Sequence, residues 1–124
     1  MNVFLMVAGL LSALIGVAHS VLGEKLVLRP LFERGDVPKL LGSTAFAHRT
    51  LRFTWHLTTV LLLGIGTVVV DLSLLPPDST STCIIQVLAA TFAVCSLLSL
   101  IGARAKHFSW WVFLIIAVLL WFGA

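Results

Sequence analysis

The chain has 124 residues, of which 60% are hydrophobic and only 10% charged, eight Lys or Arg against five Asp or Glu. Soluble domains carry about 25% charged residues, so there are too few polar groups here to cover a water-soluble fold of this size. That excludes a soluble enzyme, a disordered tail and a disulfide-stapled scaffold, and it leaves one small integral membrane domain.

A helix crossing a hydrocarbon core of roughly 30 Å needs about 20 mostly apolar residues. Its backbone must be satisfied within the segment, which makes it a helix rather than a lone strand. The first such stretch covers about residues 2–23 without a charge. Gly9, Ser12, Gly16, Ser20 and Gly23 recur every three or four residues along it, a small-residue face suited to helix packing in lipid. His19 lies beside that face. The stretch ends in Ala18-His19-Ser20, but no basic residue precedes its apolar run, so a retained helix is expected rather than a cleaved signal peptide.

Residues from about 24 to 50 form the one long connection. Apolar and charged residues alternate in KLVLRPLFERGDVPKLL, which predicts a short amphipathic helix or turn on the membrane surface. Pro30, Gly35 and Pro38 break it into pieces. Ser43 and Thr44 are placed to cap a second helix before it enters the membrane. That helix spans about residues 51–70, with Arg49, Arg52, His56, Thr59 and Gly66 along one stripe and Asp71 closing it. The GIG within LLLGIGTVV reads as close helix packing, not as a phosphate loop.

A loop holding Asp71 and Asp78 but no base leads to a third span, about residues 80–103. Gln86, Ala90, Ala93 and Ser96 or Leu97 recur at helical spacing there and predict its packing face. Cys83 and Cys95 lie on the same run, about 18 Å apart along a helix, too far to form a disulfide with each other. Arg104 and Lys106 occupy a short third loop. The last span, about residues 108–123, has Trp110 and Trp111 at one end and Trp121 at the other, as an aromatic belt requires.

All eight basic residues fall in the first and third loops or at their edges. Short basic loops stay in the cytoplasm. The expected fold is therefore an all-α integral membrane four-helix bundle, antiparallel and up-down, with both termini on the non-cytoplasmic side.

The histidines, with Glu24, Arg49, Arg52 and Arg104, all fall on the cytoplasmic half of that plan. Ionisable groups at membrane depth mark functional sites by default. Three readings stay open. His19, Arg49, Arg52, His56, Arg104 and His107, steadied by Glu24, form a pocket for an anionic or amphipathic ligand such as a lipid headgroup, in a protein acting alone or as an accessory subunit of a membrane complex. Alternatively, His19 and His56 clamp a haem iron, or join His107 and Glu24 around a divalent metal, although no helix carries a paired-ligand motif of its own. On the blandest reading, Glu24 pairs with Arg52, the arginines snorkel, and the histidines bond Ser20, Thr59 or a carbonyl and only lock the bundle.

No nucleophile-base-acid spacing is visible, so catalysis is not expected. No mid-membrane carboxylate is present, and a chain this small could act as a transporter or channel only as a homo-oligomer. The net charge of +3 is explained by topology without nucleic acid.

The strings AHSVLGE, LFERGDVPKLLGS and RTLRFTWHLTTV resemble those of a group of small multi-pass inner-membrane proteins of proteobacteria. The resemblance covers Val17 to Val60. It implies a four-helix plan in the bacterial inner membrane and brings no activity with it. His19, Glu24, Arg49, Arg52, Trp55 and His56 all fall within those strings.

Overall fold

The computed structural model describes every residue except Ala105 and His107. The described chain is all-helical: α1 (Val3–Gly23), a π turn (Glu24–Leu28), α2 (Arg29–Arg34), α3 (Thr44–Leu74), α4 (Ser79–Gly102) and α5 (Ser109–Gly123). From α1 through the π turn to α2 the helix is unbroken. Three helices, Val3–Arg34, Thr44–Leu74 and Ser79–Gly102, are long and apolar enough to cross a membrane. With 15 residues, α5 is just as apolar but extends only about 22 Å.

The connection expected over residues 24–50 is mostly helix, and only residues 35–43 lie outside one. Pro30 does not end the first rod: it directly follows the π turn, at the second residue of α2. The turn before it is wound wide, with the Arg29 N–H donating to the Glu24 carbonyl five residues back. Gly35 does end α2, at φ 70, the left-handed cap conformation that glycine adopts freely. Leu40 and Ser43 then exchange backbone hydrogen bonds at 3.2 and 3.0 Å. The Ser43 hydroxyl accepts from the Phe46 N–H at 3.2 Å and caps α3, as its position in the sequence suggested.

The chain divides into two compact units, Met1–Ala13 with Gly64–Ala124, and Leu14–Leu63. In the first, Asn2 gathers three helix ends. Its side-chain oxygen accepts from the N–H groups of Phe4 and Leu5, its amide nitrogen donates to the Gly123 carbonyl at 2.9 Å, and its backbone N–H donates to the Ser73 carbonyl at 2.7 Å. Further along α1, Gly9 meets Gly66 of α3 so closely that a Cβ on Gly9 would stand 2.7 Å from the Gly66 carbonyl oxygen. Gly64, two residues away, meets nothing within 4 Å. Only one glycine of the GIG string is therefore a packing residue.

Helix α4 starts at a capping box. The Ser81 N–H donates to the Asp78 carboxylate at 2.6 Å, and the Asp78 N–H donates to the Ser81 hydroxyl at 2.9 Å. The Ser81 amide, then its hydroxyl, hold the Asp78 carboxyl below the usual carboxylate range. Ile85, Ala89, Phe92 and Ser96 are the buried line of α4, with the Phe92 ring 5.9 Å from that of Phe113 on α5 and the Ser96 hydroxyl donating to the Trp110 carbonyl at 2.8 Å. This corrects the expected face. Gln86, Ala90, Ala93 and Leu97 are exposed and only Ser96 is buried, a rotation of one residue, or about 100°. Bulky Ile85 and Phe92 fill the space against α5, whereas the sequence stripe was chosen for small and polar residues.

In the second unit, Gly16 of α1 lies against α3, where a Cβ would come 3.1 Å from that of Leu62. Leu28, Val37 and Ala47 are buried here. The small-residue face expected on α1 is the packed one: Gly9, Ser12, Gly16 and Gly23 are buried and Ser20 is half-buried.

Candidate functional site

Within the second unit, Ser20 and Glu24 are one helical turn apart on the first rod, and Arg52 and His56 are one turn apart on α3. Spacing of four puts each pair on a single face, and the two faces meet. Arg52 grips the Glu24 carboxylate with both ends of its guanidinium, Nε to Oε2 at 3.1 Å and Nη2 to Oε1 at 2.8 Å. This is the bidentate geometry that fixes orientation as well as charge. Arg29 approaches the same carboxylate at 3.6 Å and His56 Nε2 at 3.5 Å. One carboxylate thus serves two arginines and an imidazole.

His56 Nδ1 lies 2.7 Å from the Ser20 hydroxyl. With the proton on Nε2, facing the carboxylate, Nδ1 accepts from Ser20. Ser20, His56 and Glu24 then form a hydroxyl-imidazole-carboxylate chain that linear spacing did not reveal. At 3.5 Å its second contact is longer than a hydrogen bond, and the carboxylate already accepts twice from Arg52. The chain fastens α1 to α3 more than it activates Ser20.

His19 enters by another route. Its ring stacks on the Trp55 indole, with centroids 4.6 Å apart and planes within 5°, and Trp55 Nε1 donates to the His19 carbonyl at 3.0 Å. The indole lies over Gly23, where a Cβ would collide with it. Trp55 is therefore a packing and stacking residue. Towards α2, the Arg52 guanidinium sits 5.1 Å from the centre of the Phe32 ring, and Phe32 stacks on His48 at 4.3 Å. Arg49 is exposed and has no partner among the described residues.

Of the residues singled out from sequence, Arg52 and His56 both reach Glu24. His19 joins through Trp55, and Arg49 stands one helical turn from Arg52. Arg104 belongs to the other unit, where it is exposed on the α4–α5 connection. His107 lies outside the described residues. Ser20, one of the partners the sequence offered for the histidines, is the one that meets His56; sequence reasoning missed Phe32 as the platform under Arg52, and Arg29. A separation of five residues sets Arg29 far from Glu24 around an α-helix, and only the wider π turn brings them together.

Among the described residues, no group of three or more His, Cys, Asp and Glu is arranged to hold a metal ion. Both ring nitrogens of His56 face partners, so binding an iron would displace Ser20 or Glu24. The arrangement lends itself to binding anions. With six basic residues (Lys25, Arg29, Arg34, Lys39, Arg49, Arg52) against three acidic ones (Glu24, Glu33, Asp36) between Leu14 and Leu63, positive charge is in surplus, and Arg29 and Arg52 keep 64% and 48% of their side chains exposed. Compared with family models, curated proteins and solved structures, the chain has no match.

Proposed function

We propose that the chain is a small non-catalytic protein of the bacterial inner membrane. In this reading four antiparallel helices cross the bilayer, both termini lie on the non-cytoplasmic side, and the Glu24–Arg52–His56 cluster binds the anionic headgroup of an amphipathic ligand at the cytoplasmic interface, alone or within a larger membrane complex. The observation that carries the reading is the shared carboxylate. Glu24 positions Arg52 and Arg29 without neutralising both, close to Arg49, which has no partner among the described residues, and where the long apolar stretches of the first rod and α3 give way to charged residues. Positive groups in such a place are suited to phosphate-bearing headgroups.

The competing haem reading draws support only from the presence of His19 and His56 in one unit, and the two rings are engaged differently. Purification in mild detergent separates the two. Anionic lipid should be enriched over zwitterionic lipid in the purified protein relative to the membrane of origin, the enrichment should fall at least threefold in Arg49→Gln, and the preparation should be colourless. A Soret band lost in His56→Ala would instead establish the haem protein.

A further inference from the structure

Imidazole is the side chain whose charge ordinarily changes between about pH 5 and 8, and His56 stands where such a change is felt. Its Nε2 lies 3.5 Å from Glu24 Oε2, the oxygen that also accepts from Arg52 Nε at 3.1 Å. The charged groups around the ring are thus Glu24 from the π turn, Arg52 one turn before it on α3, and Arg29 of α2, which reaches Oε1 of the same carboxylate at 3.6 Å. On the other side, Ser20 of α1 faces Nδ1 at 2.7 Å. A hydroxyl both donates and accepts. It donates to the bare Nδ1 of a neutral ring and, by turning about its C–O bond, accepts from the N–H of a charged one. A backbone carbonyl in its place would only accept. The proton can therefore come and go without leaving a ring nitrogen unpartnered or opening the clasp between α1 and α3. With 38% of its side chain exposed, against 20% for Glu24, the His56 ring is open to protons from the aqueous edge.

We propose that His56 sets the affinity of the site by its protonation, so that the cluster binds an anionic headgroup more tightly in acid than in alkali. The inference rests on the headgroup reading above and adds its regulation. With two arginines against one carboxylate the surplus around Glu24 is one positive charge, and an imidazolium makes it two. The charged ring also competes with Arg52 Nε for Oε2. A small closure from 3.5 Å brings the ring N–H into hydrogen-bond range, which loosens the bidentate grip and leaves guanidinium N–H groups for an incoming phosphate. Proton and anion then favour each other, and the coupling is reciprocal: acid strengthens anion binding, and anion binding draws in a proton.

Short-chain phosphatidylglycerol, whose phosphodiester stays singly negative throughout, is the probe. Titrated into the full chain in detergent, it should bind roughly threefold or more tighter at about pH 6 than at about pH 8. His56→Gln, which cannot charge, should bind at the weaker value at both, and His56→Lys, which stays charged, at the tighter value at both. Circular dichroism checks that each variant folds. Binding heats of the wild type between those pH values, compared in two buffers of different ionisation enthalpy, should show proton uptake, a readout that needs no variant to fold. Equal wild-type affinity at both pH values without proton uptake would overturn the proposal. So would a full pH response surviving in His56→Gln, which would assign the proton to Glu24 or to another histidine. Binding that is present but indifferent to pH refutes only the regulation, whereas no binding at either pH refutes the headgroup reading itself and the regulation with it.

Discussion

The residues that decide this protein's character are few, and most of them do two things. Glu24 anchors the first rod to α3 through Arg52 and also sets where that guanidinium stands. Trp55 covers Gly23 and binds the His19 carbonyl. Thr59 has a single visible role, as a β-branched residue packed near Gly16, and its buried hydroxyl has no hydrogen-bond partner among the described residues. An orphan buried hydroxyl costs roughly 1–3 kcal/mol. Thr59→Val keeps the shape and removes the orphan, so it should raise the thermal unfolding midpoint in detergent, by the equivalent of about 1 kcal/mol. A lowered midpoint would mean that the hydroxyl is satisfied in the membrane.

At the scale of the elements, helices α1 and α3 approach through glycine backbone instead of interdigitating side chains, and the two glycines of the GIG string separate the effects cleanly. Gly66→Leu would push a side chain into the Gly9 carbonyl and the Ala13 backbone, neither of which can yield without moving a helix. It should destabilise the protein strongly, lowering its yield and thermal midpoint in detergent. Gly64→Leu faces open space and should be tolerated. Equal effects at both positions would contradict the crossing described here. The α1 face was legible in the sequence because glycine and serine repeat at helical spacing and nothing larger competes for that side. The α4 face was misread because its small, polar stripe and its buried stripe are one residue apart, and the larger Ile85 and Phe92 take the inward side. The continuity of residues 24–34 with α1 was hidden as well: proline and alternating charge suggest a short separate surface helix or turn, while a π turn lets the rod run on through Pro30.

For the whole molecule, apolar composition and the sorting of basic residues into two connections speak for a membrane protein, and three helices have the length to cross. The pairing of Glu24 with Arg52 was open to sequence reasoning, since both flank apolar runs and carry opposite charge. The hydroxyl-imidazole contact between Ser20 and His56 was one of several partners the sequence offered, and choosing it over Thr59 or a backbone carbonyl depends on helix rotation, which one dimension does not give. The central claim is that this cluster holds surplus positive charge ready for an anionic headgroup and is more than a lock between helices. The most direct measurement is a calorimetric titration of the detergent-solubilised protein, Arg49→Gln and Glu24→Gln with short-chain phosphatidylglycerol and phosphatidylcholine. The claim predicts that the wild type prefers phosphatidylglycerol, that Arg49→Gln weakens that preference, and that Glu24→Gln strengthens it by freeing Arg52 and Arg29 from their internal carboxylate. Equal binding of both lipids by all three proteins, with Glu24→Gln losing only stability, would contradict it and leave the cluster as a structural clasp.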